Sequence, residues 1–204
     1  MKARREAFKI LKKYGIPKQH LAIQNGTIGT IMKARKIFES KGLSRQEVDS
    51  IIKQVNEKVA GFEHEAAIKA TMIKGIDEVL HCAKKNNLKQ AIYTFNTCEN
   101  AQISLEKVNL LEFFDVIAGR DNVNNPKPHP DHLLFICEKL GVEPNEIVVV
   151  GDHARDIEGA INVGAHSIGI LSKLARKETL QIADVVVEEK DIPLKLIQII
   201  KELS

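Results

Sequence analysis

Four groups of residues have types and spacings that could do chemistry. Gly151-Asp152-His153-Ala154-Arg155-Asp156 places two carboxylates four apart, directly after the apolar run Val148-Val149-Val150. Such a pair suits a hard divalent cation such as Mg2+, which takes oxygen ligands. Helix capping by Asp152, with Asp156 in the first turn, explains the same pattern without a ligand. Pro126-Lys127-Pro128-His129-Pro130 holds three of the six prolines, and their fixed φ stiffens the segment that carries Lys127. A lysine held this way can neutralise a phosphate and a neighbouring carboxylate; a solvated lysine on a rigid loop is the plain alternative. Thr94-Phe95-Asn96-Thr97 follows the short apolar run Ala91-Ile92-Tyr93. Amides at a helix start and the Thr94 hydroxyl can hold a phosphate, or the cluster is an ordinary N-cap. The last group is softer. His129, His132 and His153 hint at a transition metal, but they lack paired ligand spacing and read as exposed loop residues. Cys98, near a helix start, would have its thiolate stabilised there, or is a small half-buried residue.

These residues need elements to position them. Residues 1–72 read as helices only. Ala7, Ile10, Leu11 and Tyr14 share a face that Gly15 and Pro17 end; Ile28, Ile31, Met32 and Phe38 suggest a second helix. Ser44-Arg45-Gln46-Glu47 is a capping box opening a third helix, with Val48, Ile51, Ile52, Val55 and Val59 on its apolar side. A fourth helix is predicted from about Phe62 to Ile73, and Asn25-Gly26-Thr27 reads as a turn. From residue 73 onward, apolar runs at 91–94, 116–118, 147–150, 167–170 and 185–187 alternate with amphipathic helices. That alternation implies βαβ units and a parallel sheet covered on both faces. In such sheets ligands bind beyond the carboxyl ends of the strands, and Thr94, Lys127 and Asp152 all follow one.

Composition narrows the function classes. Of 204 residues, 44% are hydrophobic and 28% charged, with no Trp and two Tyr, which fits a folded globule and gives single-stranded nucleic acid little to stack on. The net charge of +3 is small, although residues 1–20 alone carry +6. That basic stretch reads as a solvated face, with an anion-attracting rim or a nucleic-acid-binding bundle as the sharper alternatives. Three cysteines without a Cys-x-x-Cys pair argue against a disulfide framework or a zinc site. No apolar run is long enough to span a membrane, and the charged N-terminus is not a secretory signal. A cytoplasmic location without nucleic-acid or membrane partners is expected.

Taken together and in order, Thr94 after one strand, Lys127 inside Asn-Pro-Lys-Pro and Gly-Asp-x-x-x-Asp after a later strand resemble motifs two, three and four of the haloacid dehalogenase-like (HAD) hydrolases. Glu65-Ala66-Ala67 followed by Lys74-Gly75-Ile76-Asp77-Glu78-Val79-Leu80 looks like that family's approach to its second strand, with Lys74 where Pro is usual. Residues 1–72 resemble the helical C1 cap of the phosphoglycolate phosphatase-like branch, and 73–204 its α/β, Rossmann-like core. The resemblance implies that Thr94, with Phe95 and Asn96, holds a substrate phosphate. It gives Lys127 the charge balance, and Asp152 and Asp156 a Mg2+ ion. The substrate would be a small phosphorylated metabolite.

Motif one of that family, Asp-x-Asp-Gly-Thr, supplies the nucleophile and the general acid. The 204 residues contain no Asp-x-Asp; the first Asp is Asp49, inside the third predicted helix. The resemblance also implies that a central strand, between those ending at Thr94 and Asp152, is missing. Upstream residues could supply it, the two flanking strands could pair directly, or a partner could donate a strand. Exposed sheet edges would favour a homo-oligomer. The expected function is therefore a phosphatase of small monoesters, impaired and with weak Mg2+ binding as the sequence stands. A non-catalytic phosphate- or protein-binding relative is the alternative.

Overall fold

The computed structural model describes residues 2–17, 26–173 and 175–203. Asn25, named above, lies outside these, as do residues 18–20 of the basic stretch and the side chain of Ile28. The chain divides into two compact units, 1–69 and 70–204.

The first unit is three helices, α1 (Lys2–Lys13), α2 (Gly26–Ser40) and α3 (Arg45–Ala67). Ala7 and Leu11 of α1 are fully buried, as are Ala34 and Phe38 of α2 and Val48, Val55 and Val59 of α3. Those positions are the i, i+4 and i+7 stripes that the periodicity marks. The Ser44 capping box forms: the Ser44 oxygen accepts from the Glu47 amide, and the Glu47 carboxylate accepts from the Ser44 amide at 2.8 Å. The fourth helix does not form. Nothing stops α3 between Val59 and Phe62, because the lone Gly61 only weakens a helix, so α3 runs on to Ala67 and 70–73 are non-helical. Gly26 and Thr27 open α2 and are not a turn.

The second unit alternates strands and helices: α4 (Ile76–Lys85), β1 (Ala91–Tyr93), α5 (Cys98–Lys107), β2 (Val116–Ala118), α6 (Pro130–Leu140), β3 (Val148–Gly151), α7 (Ala154–Val163), β4 (His166–Leu171), α8 (Lys177–Leu180), β5 (Val185–Glu188) and α9 (Ile192–Leu203). All strand pairings are parallel, but there are two sheets, β1-β2 and β3-β4-β5. Among the described residues no ladder joins β1 to β3, so the two flanking strands do not close on each other. Period-two alternation splits the side chains between two layers. Val149 packs with Leu133, Ile136 and Ala160 of α6 and α7, while Ile168 and Ile170 pack with Val79, Ile192 and Leu196 of α4 and α9. Ala91, Tyr93 and Val116 join the α6–α7 cluster, so one apolar layer underlies both sheets.

Gly75 is where α4 and α9 meet. Its φ of +81° is left-handed, and a Cβ there would sit 2.2 Å from Pro193 Cγ. Gly75→Ala is expected to cost about 2–4 kcal/mol, combining backbone strain with a clash against a stiff ring; urea denaturation measures it.

Candidate functional site

The site is built on the loops that leave β1, β2 and β3. Tyr93 ends β1 with its carbonyl facing out of the ladder, and the Thr94 amide donates to the Ala118 carbonyl at 3.1 Å, holding this loop against the end of β2. Thr94 does not cap α5. Its hydroxyl oxygen accepts from the Asn96 amide at 3.1 Å, a local turn, while Thr97 takes the capping position and accepts from the Asn100 amide. The Phe95 and Asn96 carbonyls accept from Arg120 in the loop after β2.

Lys127 comes from that same loop and is only 8% exposed. Its ammonium donates to the Tyr93 carbonyl at 2.7 Å and to Asp156 Oδ1 at 2.6 Å. It also stands over the Tyr93 ring, 4.1 Å from the centroid, and 5.7 Å from that of Phe95. One charge therefore ties the end of β1 to the start of α7. A lysine can be this buried because carboxylate, carbonyl and two ring faces replace its water.

Asp156 lies in the first turn of α7. Both its oxygens are engaged: Oδ1 by Lys127 and Oδ2 by the His153 amide at 3.0 Å, half of a capping box. Gly151 makes room for it, since a Cβ there would come within 2.5 Å of the carboxylate. Asp152 is exposed, and its Oδ2 accepts from the Ser172 hydroxyl, after β4, at 2.8 Å.

Thr94, Lys127 and Asp156 thus gather at the carboxyl ends of β1 to β3, linked through Tyr93. Asp152 lies on the adjoining turn and faces the β4 end. The two carboxylates fall short of the oxygen set Mg2+ needs, because Asp156 is already balanced by Lys127. Among the described residues, no group of three His, Cys, Asp or Glu could hold a metal ion. The donors among the described residues do not by themselves fit Mg2+. A cavity of ≈ 440 Å³ lies elsewhere, beside Asp121, Asn124, Asp131 and Glu138, and its acidic rim would repel an anion.

The softer candidates change character. His129 and His153 cap α6 and α7, accepting at Nδ1 from the Asp131 and Arg155 amides, both at 3.3 Å. His132 is not an exposed loop residue; it is fully buried. Its Nδ1 accepts from the Lys127 amide at 3.3 Å, so Nε2 carries the proton, donated to the Ala118 carbonyl at 3.0 Å. Burial, first of all, holds this imidazole below its ordinary value, helped by the Lys127 charge. Cys98 is not activated. Burial, and then the Asp121 carboxylate, push its thiol up, and the amide that would have stabilised a thiolate donates to Asp121 at 2.8 Å. The sequence reading missed Tyr93, and it named His132 only as an exposed loop histidine that hints at a metal. Tyr93 looks like any strand residue, whereas His132, five residues after Lys127 on an otherwise apolar face, carried a signal.

Comparison with known proteins gives the family. The family model described as haloacid dehalogenase-like hydrolase matches residues 7–170. The phosphoglycolate phosphatase of Escherichia coli is 41% identical over 66 residues, which are 32% of this chain and 26% of that enzyme. The chain thus spans about a quarter of the length of the curated relatives it matches. Among solved structures, a β-phosphoglucomutase from Clostridium difficile superposes with a TM-score of 0.72 at 21% identity, covering 98% of this chain and 91% of that one. A hydrolase from Pseudomonas syringae does so with a TM-score of 0.71 at 25% identity, covering 99% and 91%. No described helix is long and apolar enough to cross a membrane.

Two outcomes are expected. Lys127→Met strands a buried carboxylate and should cost about 3–5 kcal/mol. The double variant Lys127→Met/Asp156→Asn should lose clearly less than the sum of the single changes, because the pair acts as a unit; chemical denaturation of all four proteins closes the cycle. For pH, the folded-state His132 value is depressed below 6.5. Between that value and 6.5 the unfolded chain binds the extra proton, so His132's contribution, full above 6.5, is lost as pH falls through the folded value. His132→Asn should flatten that part of the stability–pH curve.

Proposed function

Because this chain belongs to the haloacid dehalogenase-like hydrolase family, we propose that its second unit is a phosphate-handling site for small phosphate monoesters, of the phosphoglycolate type that its curated relatives are named for. The observation that supports this reading is the buried Lys127 ammonium, shared between the Tyr93 carbonyl and Asp156 at the strand ends. The Thr94 hydroxyl accepts from Asn96 through a lone pair and so still has its proton to give to a phosphate oxygen. Lys127 supplies a fixed positive charge, and Asp156 holds that charge in place. Phosphoryl transfer depends mainly on such positioning and charge stabilisation. Asp152, exposed on the neighbouring turn, is the residue that would face a divalent ion. These residues alone would bind Mg2+ weakly, since Asp156 is already balanced by Lys127. The first unit would serve as the helical cap over 1–72.

The aspartyl-phosphate route needs a nucleophile, and the 204 residues offer no Asp-x-Asp. The polypeptide of this sequence therefore binds phosphate without turning over esters at a useful rate. The second reading, a phosphate-binding relative without catalysis, is favoured by the same fact.

Assay of the pure 204-residue polypeptide with a generic phosphate monoester and Mg2+ should give no enzyme-dependent release of phosphate; robust turnover overturns the proposal. Appending a strand that carries Asp-x-Asp should restore turnover on a panel of monoesters, and Lys127→Ala should abolish it. Failure to regain any activity in a folded, strand-supplemented protein would favour the binding-only reading.

A further inference from the structure

We propose that His132 is a positioning residue for Lys127: its ring clasps the main chain of Lys127 to the end of β2 and so fixes where the ammonium stands. This rests on the reading that Lys127 meets the phosphate. The argument begins with the lysine stem, whose four carbons rotate freely. An ammonium held at 2.6 and 2.7 Å from two partners needs a fixed root. Yet the root lies in the stretch between β2 and α6, which has no regular structure of its own. His132, in the first turns of α6, reaches back and takes the Lys127 amide on Nδ1, while Nε2 is anchored on Ala118, the last residue of β2.

The ring touches a third part of the same device. It packs edge-on against Tyr93, with centroids 4.7 Å apart at 71°, and Tyr93 offers Lys127 both its carbonyl and its ring face. Full burial leaves the imidazole no alternative partner from solvent. An isosteric apolar residue would fill the volume but leave the Lys127 amide unmatched and the Ala118 carbonyl with the Thr94 amide alone. The tautomer matters as well, because a proton on Nδ1 would turn the acceptor for Lys127 into a donor. The titratable and charged groups around the ring are Tyr93 of β1, Asp121 and Lys127 of the segment after β2, and Asp156 of α7 behind Lys127.

Sulfate is the probe, since it stays dianionic where imidazole titrates. Three variants separate the two ends of the clasp. His132→Asn keeps an acceptor near Nδ1, His132→Gln keeps a donor near Nε2, and His132→Leu keeps neither. Sulfate affinity is expected to fall about tenfold in the Gln and Leu variants and to stay within about threefold of the parent in the Asn variant. The 15N signal of the Lys127 ammonium and the exchange rate of its amide should follow the same order. A structural role alone would lower the melting temperature of all three without this order. Folded Gln or Leu variants with parental sulfate affinity and an unmoved ammonium signal overturn the proposal. If the parent binds no sulfate, the phosphate reading fails, and the ammonium and amide signals still decide the positioning role. The parent protein gives a last readout that needs no variant. On acidification the Lys127 signals should move in step with the His132 ring nitrogens, and a Lys127 signal indifferent to that titration sinks the inference.

Discussion

The α/β unit is organised around one buried positive charge. An ammonium taken out of water is costly unless it is paired and hydrogen-bonded, and Lys127 meets that requirement with partners at the end of β1 and in the first turn of α7. Much else follows from that need. Asp156 must sit in the first turn of α7, where the His153 amide can fix its second oxygen. Gly151 must lack a side chain because the carboxylate occupies that space, and Gly159 must lack one because a Cβ would meet the Tyr93 hydroxyl oxygen at 2.3 Å. Two glycines, a helix cap and a tyrosine are thereby set by the same constraint. Tyr93 bears a cost of its own, since its buried hydroxyl has no hydrogen-bond partner among the described residues.

The same charge does work that a backbone ladder does elsewhere in the sheet. β1 pairs with β2 and β3 with β4, yet β1 and β3 share no ladder. The two halves are joined by the ion pair at their carboxyl ends, by the apolar layer where Tyr93 and Val116 pack in the same cluster as Val149 and Ala160, and by Val79 of α4, which packs with β4 and α9. Side-chain contacts of this kind fix position without fixing strand register.

Much of this was legible in the sequence, and the reasons differ by residue. The strands at 91, 116, 148, 166 and 185 announce themselves as short apolar runs between helical periods, and Ser44 and Glu47 mark a helix start by chemistry alone. Lys127 and Asp156 stand out because prolines and a strand end surround them. The failures have physical causes. The end of α3 was misplaced because periodicity near Phe62 cannot distinguish one long helix from two. His132 was misjudged because burial is a property of the tertiary fold: the α6 face it lies on is covered by β1 and β2, which no local pattern reveals. Cys98 is the small half-buried residue of the plainer reading, and the helix-start amide that would stabilise a thiolate is claimed by Asp121, twenty-three residues away, a long-range contact no local pattern reveals.

Charge counting shows why placement outweighs net charge at this site. Asp152 and Asp156 together outnumber Lys127, so the three groups sum to a negative site before any ligand arrives. A phosphate or sulfate dianion gains nothing from such a sum. Its binding must come from donors aimed at its oxygens, which act at hydrogen-bond range while the net field acts diffusely. On the proposed reading the Thr94 hydroxyl and the Lys127 ammonium would be such donors, and Lys127 would have to be shared rather than transferred, because removing it from Asp156 would leave a carboxylate stranded in the interior. A shared ammonium tolerates little displacement: movement toward the anion weakens the Asp156 bond, and movement away loses the ligand. A site with that balance depends on how rigidly the lysine is rooted, which gives the buried His132 a reason to be a hydrogen-bonding residue where packing alone would have taken a leucine.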